Sequence, residues 1–217
     1  MLRKDTEPLA LSGYADGTVL ITEGLGSLSE PLPTVTVGRI ANCMVDWAVA
    51  ETDRVISLDM GQAMVTDQGT TVVTLSPPGR PQRSLSEYAL GVGDDHVPEP
   101  AQTANRGALL ATSAAMRGAV GGRAPWSPDR LELTPTTAGK NIPRHLWPGP
   151  VMLSTLLSQK ASSGCVIVTG ETATRVVAEI GTDPVLAEWS DRGAENVAAG
   201  TYVLGVLLPG QPPTCGR

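Results

Sequence analysis

Val166-Ile167-Val168-Thr169-Gly170-Glu171-Thr172-Ala173 reads as an apolar strand that turns at a glycine into a helix. The continuous run Cys165 to Val168 predicts a strand buried on both faces. Downstream, Ala173, Val176, Val177 and Ile180 recur at helical spacing, and Gly181 follows as a stop, so a helix is expected over Glu171 to Ile180. The flanks continue the mixture. Pro150 stands at a helix-start position ahead of 151–160. Asp183-Pro184 pairs a capping residue with proline, which predicts a short helical turn through Trp189 to Gly193. Residues 201–208 read as a closing strand, with Gly205 at a bulge position.

The first third is strand-like. Gly13-Tyr14-Ala15-Asp16-Gly17 is a turn signal before the β run 18–22, and Thr34-Val35-Thr36-Val37 alternates with period two. The runs 54–58 and 70–75 are read as further strands, the latter closed by Pro77-Pro78-Gly79. Ile40, Cys43, Met44 and Trp47 also fit the spacing i, i+3, i+4, i+7, so 40–50 admits a short helix. Residues 76–150 hold most of the 18 prolines and are expected to be a loop-dominated insertion or contact region, interrupted by a helix from Asn105 to Gly118. The fold expected is mainly β with a few short helices, a sandwich or barrel with a jelly-roll-like form among the options. The alternative is α+β. One domain is expected over 1–217.

Composition narrows the function classes. The net charge is −6, and the 16 Lys and Arg form no basic arm, so strong nucleic-acid binding is not expected. No apolar run approaches the length of a membrane span, and no signal peptide is expected at the N-terminus. The three cysteines, Cys43, Cys165 and Cys215, are widely spaced, so reduced thiols are expected.

The densest set of ionisable groups is Asp94-Asp95-His96, with Glu99 close behind. Two carboxylates and an imidazole suit a hard cation or acid–base chemistry. Glycines before and Pro98 and Pro100 after instead predict a solvated loop, and this is the reading adopted. His145 and His96 lack a second His or Cys at ligand spacing, so no metal is expected. A nucleophile pair of Cys165 with His145 is disfavoured, because Cys165 lies in an apolar strand. Trp147, in His145-Leu146-Trp147-Pro148-Gly149-Pro150, is expected to anchor packing beside a rigid turn. No catalytic or cofactor-binding residue is assigned, and no cofactor is expected.

Two short resemblances accompany this reading. The stretch 166–173 is similar to a strand–turn–helix in four-carbon acid sugar kinases, with one glycine where a pair would be expected. That resemblance implies a phosphate at the helix N-terminus formed by Gly170–Thr172. The Trp-Pro-Gly-Pro segment resembles one in threonylcarbamoyl-adenylate synthases, without that family's basic nucleotide-binding motif.

Two function classes follow. The favoured expectation is a structural, self-assembling protein, a viral or phage shell (capsid) or decoration protein, found in the virion or cytoplasm. It would associate with itself and with other shell proteins. The alternative is a small α/β or α+β enzyme that binds a phosphate-bearing ligand at Gly170–Thr172.

Overall fold

A computed structural model describes residues 10–24, 28–66, 68–137, 142–158, 165–191, 198–211 and 213. In chain order these form β1 (Ala10–Gly13), β2 (Thr18–Glu23), β3 (Thr34–Arg39), α1 (Asn42–Ile56), β4 (Thr70–Leu75) and β5 (Arg83–Tyr88). A 3-10 turn, Asp94–His96, precedes α2 (Pro100–Ala119). Then come β6 (Gly121–Pro125), β7 (Arg130–Pro135), β8 (Arg144–Leu146), α3 (Leu153–Ser158), β9 (Val166–Thr169), α4 (Glu171–Ile180), β10 (Leu186–Ser190) and β11 (Ala198–Val206). Among the described residues 30% are helical and 32% are in strands, so the β-rich expectation holds in its α+β form. The strands make three sheets, ordered β1-β2-β3-β6, β8-β10-β11-β7-β9 and β4-β5.

The chain divides into two compact units. One comprises 1–10, 22–36 and 125–217, and the other comprises 11–21 and 37–124.

The first unit is built on the five-stranded sheet. β7 lies between β11 and β9 and pairs antiparallel with both, so Leu131 faces Val206 and Val168, and Leu133 faces Leu204 and Val166. Both leucines are fully buried. The apolar stripe of α4, Ala173, Val176 and Ile180, packs into the same core with Leu153 of α3, Trp147 and Trp189. The helical spacing read in the sequence therefore lands on α4 residue for residue. Of the run Val166-Ile167-Val168, the two valines are buried and Ile167 is half-buried, as alternation along a strand requires.

The second unit packs α1 and α2 with the hairpin β4–β5. Val55, Met60 and Leu109 form one buried cluster, against which Val73 and Leu85 pack from the hairpin, and Ala63, Ala89 and Val97 form another.

Three expectations are corrected. Residues 54–58 are not a strand: Val55 and Ile56 close α1, because Val55 lies seven positions from Ala48 and both are buried on one helix face. The expected helical turn from Asp183 is not formed: 186–190 form β10, with Ala187 and Trp189 inward and a parallel pairing to β8, and the end of that expectation, at Gly193, lies outside the described residues. The region 76–150 carries strands β5 to β8 where long loops are expected, and the helix expected from Asn105 to Gly118 lies within the longer α2, which starts at Pro100. Pro100 opens α2 at the first turn, where a missing N–H costs no hydrogen bond, so Asn105 is interior and donates to the Asp59 carbonyl instead.

Leu131→Ala is expected to lower stability by about 2–5 kcal/mol, because it opens a cavity at the centre of a buried sheet. Leu146→Ala, at a side chain 53% exposed, should cost under about 0.5 kcal/mol. Urea unfolding midpoints of the two variants measure the difference.

Candidate functional site

The second unit holds a cation with no exposed surface. Arg106 sits on the buried face of α2, three residues before Leu109. Its Nε donates to Asp94 Oδ1 at 2.7 Å, one Nη to Glu87 Oε2 at 3.0 Å and the other Nη to the Tyr88 carbonyl at 2.8 Å. The three acceptors come from the 3-10 turn and from β5, so the guanidinium ties three elements together. Asp94 is fully engaged in this network. Its Oδ1 also accepts the Gly91 N–H, and its carbonyl accepts the Thr103 hydroxyl.

This corrects the solvated-loop reading for Asp94, which is half-buried; Asp95, His96 and Glu99 are exposed, and Asp95 and His96 face one another at 3.6 Å. Adjacent side chains diverge, so Asp94 turns inward while Asp95 points out. Sequence reasoning missed Arg106 and Glu87. Their signal was a charge on each apolar register: Arg106 on the helix band with Leu109, and Glu87 alternating with Leu85. Burial pushes the Glu87 carboxyl above the ordinary carboxylate range, against the pull of Arg106.

In the first unit His145 and Asp191 lie on the β8–β10 side of the five-stranded sheet, while Glu132, also buried, lies on β7 beside Cys165. β8 places His145 opposite Trp189 of β10, with ring centroids 5.0 Å apart, and Trp147 meets Trp189 edge-on at 5.8 Å. Trp147 donates its indole N–H to the Val151 carbonyl at 2.8 Å, which pins the Pro148-Gly149-Pro150 turn. The packing-anchor reading of Trp147 matches this geometry. The imidazole is buried between two carboxylates: Nδ1 is 4.0 Å from Glu179 and Nε2 is 3.5 Å from Asp183. The two contacts leave opposite sides of the ring, so His145 bridges α4 and the following turn to β8. One ion cannot engage both carboxylates and the imidazole together.

Asp191, also buried, ends β10. It accepts the Leu153 N–H at 2.6 Å, the Ser154 N–H at 3.1 Å and the Ser154 hydroxyl at 2.6 Å. The carboxylate thus caps α3 from a distant strand. Burial first, and then the Asp191 charge, push the Tyr202 hydroxyl upward.

Cys165 and His145 are not brought together. β9 and β8 are opposite edges of the sheet, four strand spacings apart, or about 19 Å. Cys165 is disulfide-bonded, against the expectation of reduced thiols, because wide spacing in sequence says nothing about approach in space. Cys43 is free and exposed, and Cys215 lies outside the described residues.

At Gly170–Thr172 the strand does turn into α4, through Gly170 at φ 58°. The Gly170 N–H, however, already donates to the Asp129 carbonyl at 2.7 Å. Glu171 holds a carboxylate at the first turn, paired with Arg175. Both features compete with an anion at this terminus. Elsewhere on this unit a shallow pocket of about 210 Å³ is lined by Leu32, Pro33, Val35, Pro125, Trp126 and Pro128 among others, and is mostly apolar.

Comparison with protein-family models, curated proteins and solved structures finds no match to this chain.

Arg106→Ala should destabilise the second unit by roughly 3–5 kcal/mol, because it leaves two carboxylates without their buried partner. The Glu87 carboxyl supplies a pH signature. Its folded value lies above the unfolded one, so the folded state binds the proton more tightly. Its penalty is full above the folded value and is relieved as pH falls toward the ordinary carboxylate range. Glu87→Gln carries no titrating group, so wild type should lose stability relative to the variant as pH rises through that window and hold a constant difference above it. Chemical denaturation at stepped pH checks the sign.

Proposed function

We propose that this chain is a structural protein that works by self-assembly, of the kind that forms or decorates a viral or phage shell. It would act in a virion or in the cytoplasm of the producing cell. The observation that supports the reading is large apolar side chains held on the surface by rigid backbone. Leu146, Val151 and Met152 are 53%, 45% and 57% exposed, around the Trp147-pinned Pro148-Gly149-Pro150 turn. Single exposed apolar residues are ordinary on any surface, whereas a group on a fixed turn favours a partner surface. The ionisable groups point the same way. Arg106, Asp94, Glu87 and Asp191 are committed to holding elements together. The partners proposed are further copies of the chain and other shell proteins.

Light scattering on the purified chain at micromolar concentration tests the reading. A particle mass well above that of one chain is expected, and Leu146→Ser with Met152→Ser should reduce it while circular dichroism stays unchanged. A monomer over the whole concentration range, together with saturable binding of inorganic phosphate lost on Gly170→Val, would favour the enzyme alternative and sink this one.

A further inference from the structure

The hairpin β4–β5 is a two-stranded sheet, and two strands alone are marginal in water. Its inner face, Val73 and Leu85, packs on the core of the second unit. Its outer face is uncharged. Thr70, Val72 and Thr74 are exposed, with Val72 at 65%, and across the ladder Val72 faces Ser86 and Thr74 faces Ser84. Among the described residues, no strand pairs with the second edge of β4.

Exposed edges are usually guarded by charge, proline or a bulge. β4 has none of these. Thr70-Thr71-Val72-Val73-Thr74-Leu75 contains no charge or proline, and its register with β5 runs unbroken from Thr70↔Tyr88 to Leu75↔Arg83. β5 also has one unpaired edge, but it carries Arg83, ion-paired to Asp53, and Glu87; β4 is the strand whose side chains are all uncharged.

We propose that the β4 edge is an interface between two copies of this chain, joined antiparallel about a two-fold axis at Val72. The inference rests on the self-assembly reading and names one of its contacts. The occupant follows from the strand's own pattern. Two-fold pairing centred on Val72 sets Val72 against Val72 of the second copy, and Thr70 against Thr74 in both directions. Identical β-branched pairs and Thr–Thr pairs are favourable cross-strand neighbours, and an uncharged strand meets its own copy without like-charge repulsion. An isologous contact needs this kind of self-complementarity. The product is a continuous four-stranded sheet, β5-β4-β4-β5, in place of two marginal hairpins.

Val72→Lys tests the contact on the full chain, because it sets two ammonium groups against each other at the axis on a face that is already solvated. The apparent dissociation constant from analytical ultracentrifugation should rise about tenfold or more, with circular dichroism unchanged. As a second measurement, Val72→Cys in a Cys43→Ser background should form a disulfide-linked dimer under mild oxidation. If wild type associates but Val72→Lys keeps the same mass and Val72→Cys does not cross-link, the β4 interface is overturned and self-assembly stands. If wild type is a monomer at every concentration, both fall.

Discussion

A guanidinium with no exposed surface has to find its counter-charge inside the protein, because a lone buried cation is far too costly to keep. Arg106 meets this constraint with acceptors from two other elements, and in doing so sets where β5 and the 3-10 turn lie against α2. Bidentate and charge-assisted contacts are directional, so they specify position as well as sign. Among the described residues of this unit, Val19, Leu20, Ile21, Val55, Met60 and Leu109 are all buried, and the ion network adds to this apolar packing a direction that apolar contact lacks.

The other unit solves the same problem by different means. Its core is large and aromatic, and the buried polar groups include His145 between two carboxylates, Asp191 at the head of α3 and Glu132 on β7. In both units the ionisable groups act as fasteners between elements. On the surface, Trp47, Met64, Val72, Leu146 and Met152 expose apolar area.

How far the sequence reveals this depends on range. α4 and β9 are legible because their periodicity is complete within one window and because Gly170 and Gly181 punctuate it. β10 is not, since its inward pair Ala187 and Trp189 is too brief to outweigh a capping Asp183-Pro184, and its strand identity comes from pairing with β8 and β11. Val55-Ile56 imitates a strand for the opposite reason: two β-branched residues prefer extended backbone, and burial on the α1 face overrides them. The ionisable groups show the same divide. Asp94-Asp95-His96 is conspicuous as a cluster, but which member turns inward is decided by Arg106, which belongs to another element. The partners of His145 arrive from α4 and the turn beyond it, and no local pattern announces them.

The cap that Asp191 places on α3 also orders events in time. A six-residue helix is too short to persist alone, and the donors at its first turn are satisfied from 37 and 38 residues downstream. During synthesis the α3 segment emerges well before β10 exists, so it waits without its cap while β9 and α4 are made. Closing so long a loop slows the step, because the entropy is lost before the contact is gained. α3 is thus among the last pieces of its unit to settle. The neighbouring Trp147 turn and its exposed apolar side chains reach their final form only once the chain through β10 has been made, which delays the appearance of a finished surface until the sheet beneath it is built.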